Sequence, residues 1–397
     1  MKMRRFGYQA VVVIVMSLVF AGFLEIGTRL YSAATGRGWQ LQLHERDPGD
    51  RAIRDIYQWH PFTGFTFKPD ANLIAGHPNQ REQANIYTDQ YGFLSDGQEL
   101  ILEKPESEIR IAAIGGSTTA CINLPFEKTW PGYLGQLLKN AISGKTIRII
   151  NAGVPGFDTS QSIGNLALRV LPFKPDVVII YHAYNDLKAV RPELSFRADY
   201  SHIHTAPYGH QPQPGMFIRW MGKSMFFVRL RNQLREYRMK KAAFEQARKE
   251  RQGGQRLDRP PPAAAAAFKQ HMESLVAIAT ASGSKVILAS FATLHDPLLD
   301  TLRPEAMARL TPFQQENLAP MLHFIPGLTL GGILWGIREY NEQLKQIADA
   351  ADITLVDAAA AIPHDDRWFV DRVHFSDDGA KKMAEAMLPV VLAQIGH

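Results

Sequence analysis

The chain predicts an α/β fold, a parallel sheet with helices on both faces. Three observations carry this. Five short apolar runs recur from residue 109 onward, at 109–114, 147–151, 177–183, 286–291 and 353–356. Runs of that length, broken by glycine or polar residues, suit strands buried on both faces. Between them lie segments whose apolar residues fall three and four apart, as on one face of a helix. Strand and helix in alternation imply parallel pairing through right-handed crossovers.

The N-terminus comes before this core. Lys2, Arg4 and Arg5 precede residues 6–24, a run of 19 residues with no charge and one glutamine. About 20 apolar residues suffice to cross a bilayer as a helix. The basic flank would keep residues 1–5 in the cytoplasm. The expectation is a signal-anchor transmembrane helix over 6–24. The lipid bilayer is then a partner, and the rest of the chain lies on the extracytoplasmic (periplasmic) side of the inner membrane. Glu25 and Arg29, four apart, suit a continuing helix rather than a signal peptide cut near Ser32-Ala33-Ala34.

Residues 36–105 read as a lead-in region packing on the core. His60 to Phe67 alternates in its second half like a short strand, and Tyr91-Gly92-Phe93 reads as a turn. From 109 to 397 the core follows. Its helices are expected at 158–171 (Ile163, Leu166, Ala167 and Val170 inward), at 263–281 (Phe268, Met272, Leu275) and at 336–351 (Ile337, Tyr340, Leu344, Ile347). Ser376 can cap a last helix running to about 392.

Two insertions interrupt the core, 187–261 and 292–334. The first carries an expected amphipathic helix over 226–251, striped by Phe227, Leu230, Leu234, Tyr237 and Phe244. Between Lys223 and Arg251 there are ten basic and three acidic residues. A helix packed on the core with a solvated basic face accounts for this better than one lying on an anionic surface. The second insertion is apolar and broken by Pro297, Pro304, Pro312, Pro320 and Pro326. It follows the carboxyl end of a strand, where it could wall a ligand site.

Bulk properties exclude some functions. The 44 basic and 39 acidic residues leave a net charge of +5, no signal for nucleic acid. Cys121 is the only cysteine, so internal disulfides and multi-cysteine zinc sites are ruled out. A buried structural thiol is the expectation for it. His202-x-His204 with His210 lacks the carboxylate or cysteine that would complete a metal site. No cofactor and no metal are expected.

The chemistry gathers at strand ends. Gly115-Gly116 stops the first strand sharply and Ser117 follows at its carboxyl end, the edge where open α/β sheets bind ligands. A serine there is a candidate nucleophile, although a turn or helix cap would also use one. The surroundings are not the Gly-x-Ser-x-Gly elbow, because residue 119 is threonine. Asn151-Ala152-Gly153-Val154-Pro155-Gly156 ends the second strand, Tyr184-Asn185-Asp186 the third, and Asp371-Arg372-Val373-His374 lies after the fifth. Serine acyl transfer needs a base, a group to orient it, and donors for the oxyanion. His374 can be the base and Asp371 its orienting acid. The backbone amides of Ser117 and Gly156 and the side-chain amide of Asn185 can be the donors. His182 and His364 could compete as base, but neither has an aspartate three residues before it.

In these four segments, and over roughly 109–394 without the insertions, the chain resembles the SGNH hydrolase superfamily, also called GDSL-like. Gly115-Gly116-Ser117 stands where that family has Gly-Asp-Ser. Residues 151–156 match its oxyanion-glycine block, Ala183-Tyr184-Asn185-Asp186 its Gly-x-Asn-Asp block, and Asp371 to His374 its closing Asp-x-x-His. Two positions depart from the pattern, Gly116 for aspartate and Ala183 for glycine. The resemblance implies a flavodoxin-like three-layer α/β/α sandwich with strand order 2-1-3-4-5 and a metal-free Ser–His–Asp triad. It also implies a serine esterase that removes acyl groups, O-acetyl above all, from a carbohydrate or cell-envelope polysaccharide. The same triad could instead transfer the acyl group to a sugar hydroxyl. The fold without activity could serve carbohydrate binding or assembly.

Overall fold

A computed structural model describes residues 2–35, 39, 56–75, 84–204, 223–234, 237, 241 and 256–396. In chain order the strands are β1 (Tyr57–His60), β2 (Gly64–Phe67), β3 (Asn72–Ala75), β4 (Ala84–Thr88), β5 (Leu94–Ser95), β6 (Glu108–Gly115), β7 (Thr146–Asn151), β8 (Val177–Tyr181), β9 (Lys285–Ala289) and β10 (Thr354–Val356). The longer helices are α1 (Lys2–Ala34), α2 (Trp130–Ala141), α3 (Thr159–Asn165), α4 (Pro262–Ala281), α5 (Leu330–Ala351) and α6 (Asp377–Gln394).

Strands β6 to β10 pair in parallel in the order β7-β6-β8-β9-β10, which is order 2-1-3-4-5 for the five core strands. Helices α2 and α6 pack together, and α4 packs against α3 and α5, so the sheet carries two separate helical layers. Every residue of β8 is buried. That is why the central runs read as continuous apolar segments rather than alternating ones. Arg110 is the exception in β6. Fully buried, it is held by Glu108 at 2.5 Å and by the Phe173 carbonyl at 2.7 Å.

The sheet is larger than the five parallel strands expected. β5, β4 and β3 extend it beyond β7 to eight strands, all three antiparallel, with Leu94 opposite Asn151. The part of the lead-in region that carries β3 to β5 therefore belongs to the main sheet. β4 is half-buried, with Ala84, Ile86 and Thr88 inward and Asn85 and Tyr87 outward, the alternation of a strand with one wet face. β1 and β2 form a separate hairpin.

The membrane span expected over 6–24 is not supported. Among the described residues no helix is long and apolar enough to cross a membrane. α1 instead continues ten residues past Leu24 into a polar segment that docks on the first insertion. There the Glu25 carboxylate accepts hydrogen bonds from Ser224 Oγ (2.6 Å), Met225 N (3.0 Å) and Phe226 N (3.1 Å). Arg229 Nη2 donates to Ser32 Oγ at 3.0 Å. Glu25 thus caps the helix that begins at Met225, putting a negative charge on its N-terminal amides. That helix is described over 225–234, with Met225 and Val228 buried. Most of the remainder of the basic helix expected to 251 lies outside the described residues, as do 40–55 of the lead-in.

Two boundaries shift. α5 starts at Leu330, inside the expected second insertion, because Thr329 caps it by accepting from Gly332 N at 3.0 Å. The glycines at 331 and 332 hide this start from a propensity reading. The helix expected over 158–171 opens on an Asp158/Gln161 capping box, then widens into a π turn over Leu166–Val170 and tightens before Lys174. Ser376 caps α6 as its sequence suggests.

Candidate active site

The site is assembled at the carboxyl end of β6, where side chains are excluded by close packing. A Cβ on Gly115 would lie 2.0 Å from Thr119 Oγ1 and 2.7 Å from the Tyr181 carbonyl oxygen. A Cβ on Gly116 would lie 2.6 Å from Asn185 Nδ2 and 3.1 Å from Phe157 O. The Asn185 amide fills the space that a side chain at 116 would need. An aspartate here, as the family carries, would require the Asn185 amide to shift. Ser117 then opens a single helical turn, Ser117–Ala120.

Ser117 Oγ lies 2.7 Å from His374 Nε2, and His374 Nδ1 lies 2.7 Å from Asp371 Oδ2. With Nδ1 protonated toward the carboxylate, Nε2 is left to accept from the serine. The other Asp371 oxygen accepts from Val373 N (2.9 Å) and His374 N (2.8 Å), so the carboxylate stiffens the turn that carries its own partner. Arg372 Nε donates to Tyr184 Oη at 3.0 Å. Phe324, from the second insertion, stacks on Tyr184 with ring centroids 5.4 Å apart, and the Arg372 guanidinium lies 5.1 Å over its ring. That insertion thus packs beside the Asp371–His374 turn.

The loop after β7 faces the serine. Val154-Pro155-Gly156-Phe157 closes with Phe157 N donating to Val154 O at 3.1 Å, and Gly156 sits at φ +86°. Proline followed by a residue at positive φ is the pattern of a type II turn, which favours glycine in the second place. Asn185 Nδ2 donates to Phe157 O at 2.7 Å, using one of the two amide hydrogens. Gly153 lets the loop press on the nucleophile turn, since a Cβ there would meet Ala120 N at 2.4 Å. Asn151 bridges the same two segments, its Nδ2 donating to Thr119 O at 3.1 Å and its Oδ1 accepting from Gly153 N at 3.1 Å.

Ser117, His374, Asp371, Gly156 and Asn185 are thus brought to one place. The competing groups are engaged elsewhere. His182 Nε2 meets Ser162 Oγ at 2.8 Å, and burial holds its imidazole down at about 4. His364 Nδ1 donates to Thr293 O at 2.6 Å. Cys121 is buried, and burial pushes its thiol up to about 12. His202 Nε2 donates to Ala189 O at 2.8 Å, His204 pairs with Asp158, and His210 lies outside the described residues.

Sequence reasoning missed a polar cluster beside the loop at Gly156. Asp158 and Asp186 are both fully buried. Asp158 Oδ2 is 2.9 Å from His204 Nε2. Asp186 Oδ1 accepts from Thr159 N (3.1 Å) and Thr159 Oγ1 (2.5 Å). Burial, with the charge of Asp158 nearby, pushes the Asp186 carboxyl up to about 7. The hydrogen bond from His204 and the charge of Lys188 hold Asp158 low despite its burial. The hairpin β1–β2 supports the same loop. The Phe65 ring packs edge-on against Phe157 at 5.1 Å, and its tip lies 4.0 Å from where a Cβ of Gly156 would be. Nothing in the spacing of 57–67 signals that contact, which exists only once the hairpin folds back on the core.

A doubly wound sheet with a serine, histidine and aspartate in line at its carboxyl edge defines a serine hydrolase of the esterase class. The chain belongs to the GDSL-like lipase/acylhydrolase family, which matches residues 113–382. No curated protein matches the chain. Similar solved structures include an acetylxylan esterase, Axe2, from Geobacillus stearothermophilus (17% identity, TM-score 0.40, covering 73% of this chain and 94% of that one). Others are a lipase/acylhydrolase from Enterococcus faecalis (15%, 0.40, 72% and 96%) and a member of the lipolytic G-D-S-L family from Veillonella parvula DSM 2008 (13%, 0.38, 71% and 97%). Likenesses this distant add nothing to the family assignment.

The Asp186 carboxyl yields a test of the buried cluster. Its ordinary value is 3.8 and its folded value is about 7. Between those values the folded chain holds a proton that the unfolded chain has lost, so stability falls as pH rises through the window. Asp186→Asn cannot ionise. Its melting temperature relative to wild type should therefore climb from pH 4 to pH 7 and level off above. A difference that stays flat with pH would show that Asp186 does not titrate in this range.

Proposed function

We propose that this esterase removes acyl groups, O-acetyl above all, from a carbohydrate or cell-envelope polysaccharide by way of an acyl-enzyme on Ser117. The observation that carries the mechanism is the unbroken line Asp371–His374–Ser117, with both contacts at 2.7 Å. His374 Nε2 takes the proton as Ser117 Oγ attacks the ester carbonyl. Asp371 holds Nδ1–H and stabilises the imidazolium. The negative charge that builds on the carbonyl oxygen meets Ser117 N, Gly156 N and the second amide hydrogen of Asn185. Collapse expels the sugar hydroxyl, protonated by His374. Water, deprotonated by the same nitrogen, then releases the acid and restores the serine.

The carbohydrate reading is supported by the hairpin. Trp59 pairs with Phe65 across β1 and β2, so the two rings share one face of the ribbon. Along that face burial declines from Phe67 (1% exposed) through Phe65 to Trp59 (46% exposed). A half-exposed indole beside a ring that touches the oxyanion loop offers a stacking surface for a sugar next to its ester. On this reading the domain works outside the cytoplasm, where a cell-envelope polysaccharide would lie.

Three experiments test these points. Ser117→Ala and His374→Ala should each abolish turnover of a chromogenic acetyl ester. The double variant should be little worse than either, because residues acting as one unit are not additive; multiplied losses would show that the two act separately. Trp59→Ala should raise KM for an acetylated oligosaccharide about 3–10-fold, the worth of one aromatic contact, and leave the small chromogenic ester unchanged. Equal effects on both esters, or on neither, would remove the glycan from the proposal. A reporter that fluoresces only in the cytoplasm, fused after His397, should stay dark, and a bright fusion would place the domain inside.

A further inference from the structure

Lys188 belongs to the short 3-10 segment after β8, Tyr184–Ala189, four residues past Tyr184 and three past Asn185. It is mostly buried. Its Nζ donates to the Gly156 carbonyl oxygen at 2.7 Å. The ammonium lies 5.5 Å from the centre of the Phe324 ring, and the charges of Asp158 and Asp186 act on it. A lysine free to choose would leave its head group in water, because a buried ammonium is costly unless hydrogen-bonded. Here the head group turns inward to a neutral carbonyl of the oxyanion turn.

That carbonyl sits at a sensitive place. Gly156 is held at φ +86°, and the direction of its N–H depends on that turn geometry. Two side chains from one segment pin the turn from outside, Lys188 at Gly156 O and Asn185 at Phe157 O. The first of these is charge-assisted and so the stronger kind of bond. Phe65 and Phe157 give only apolar support, which tolerates small shifts. An oxyanion donor does not, since its value lies in being fixed before charge develops.

We propose that Lys188 is a positioning residue of this esterase, its ammonium holding Gly156 O so that the Gly156 N–H stays aimed at the developing oxyanion. It acts through Gly156 and does not touch the substrate. The inference rests on the oxyanion role of Gly156 and the nucleophilic role of Ser117 proposed above. Ser117→Ala is therefore run alongside, and activity surviving in that variant would sink the mechanism before Lys188 is considered.

The test is steady-state kinetics of the full chain on one chromogenic acetyl ester, with folded protein quantified by circular dichroism. Lys188→Met keeps the length and removes the donor. It should lower kcat about 10–100-fold and move KM less than about threefold, as for a group that serves only the transition state. Lys188→Arg, which restores a charged donor, should recover kcat to within about fivefold of wild type. If Lys188→Met does not fold, Lys188→Leu, which also lacks a donor, takes its place under the same criterion. A kcat per folded molecule within about twofold of wild type in the neutral variant would overturn the proposal. So would a loss that Lys188→Arg fails to recover, which would mean shape rather than charge.

Discussion

The site depends on one steric constraint, the absence of any room for a side chain where β6 ends. A Cβ at Gly115 would lie 2.0 Å from Thr119 Oγ1 and 2.7 Å from Tyr181 O, and one at Gly116 would press on the Asn185 amide at 2.6 Å. Gly153 completes the contact from the neighbouring loop. The turn at Ser117 meets the loop after β7 backbone to backbone and the loop after β8 through the Asn185 side chain. Protein interiors transmit such contacts with little slack, so the position of the nucleophile is set by packing rather than by its own hydrogen bonds.

Around that constraint the polar groups divide the work. The turn Asp371–His374 is self-contained, its carboxylate serving both the imidazole and two backbone amides. The oxyanion loop is not. It is held by Asn185 and Lys188 from the segment after β8, by Asn151 from below, and by Phe65 from the hairpin. The loop at Gly156 thus has the larger scaffold. The second insertion adds Phe324 against Tyr184 and Arg372, so it contributes to the walls without supplying a reacting group.

Much of the fold was legible in the chain. The five core strands, the helices α3, α4 and α5 and the cap at Ser376 follow from local pattern, which is a matter of period and short-range hydrogen bonding; α2, between β6 and β7, was not among the expected helices. Legible too were the residues gathered at the candidate site, because Ser117, Gly156 and Asn185 follow the carboxyl ends of strands and the Asp371–His374 pair stands just before the last helix. What failed locally failed for physical reasons. The strands β3 to β5 are short, and two of them border segments with no alternation. They were legible as a lead-in, but their pairing with β7 is a long-range event. The start of α5 was masked by two glycines that helical propensity disfavours. An apolar run flanked by basic residues suggested a membrane span, whereas no described helix qualifies as one and the polar end of α1 is engaged by the first insertion.

By itself the sequence determined which residue types stand at which strand ends, and hence the class of chemistry the chain can perform. Period and turn propensity act over a few residues, so they can be read from them. Only the tertiary structure decided that the Asn185 amide lies against Gly116, that Asp158 and Asp186 share one buried cluster, and that Lys188 and Phe65 support the loop at Gly156. Each of these depends on side chains tens of residues apart arriving within a few ångströms. Distance of that kind is set by how the layers close on one another, and no local spacing encodes it.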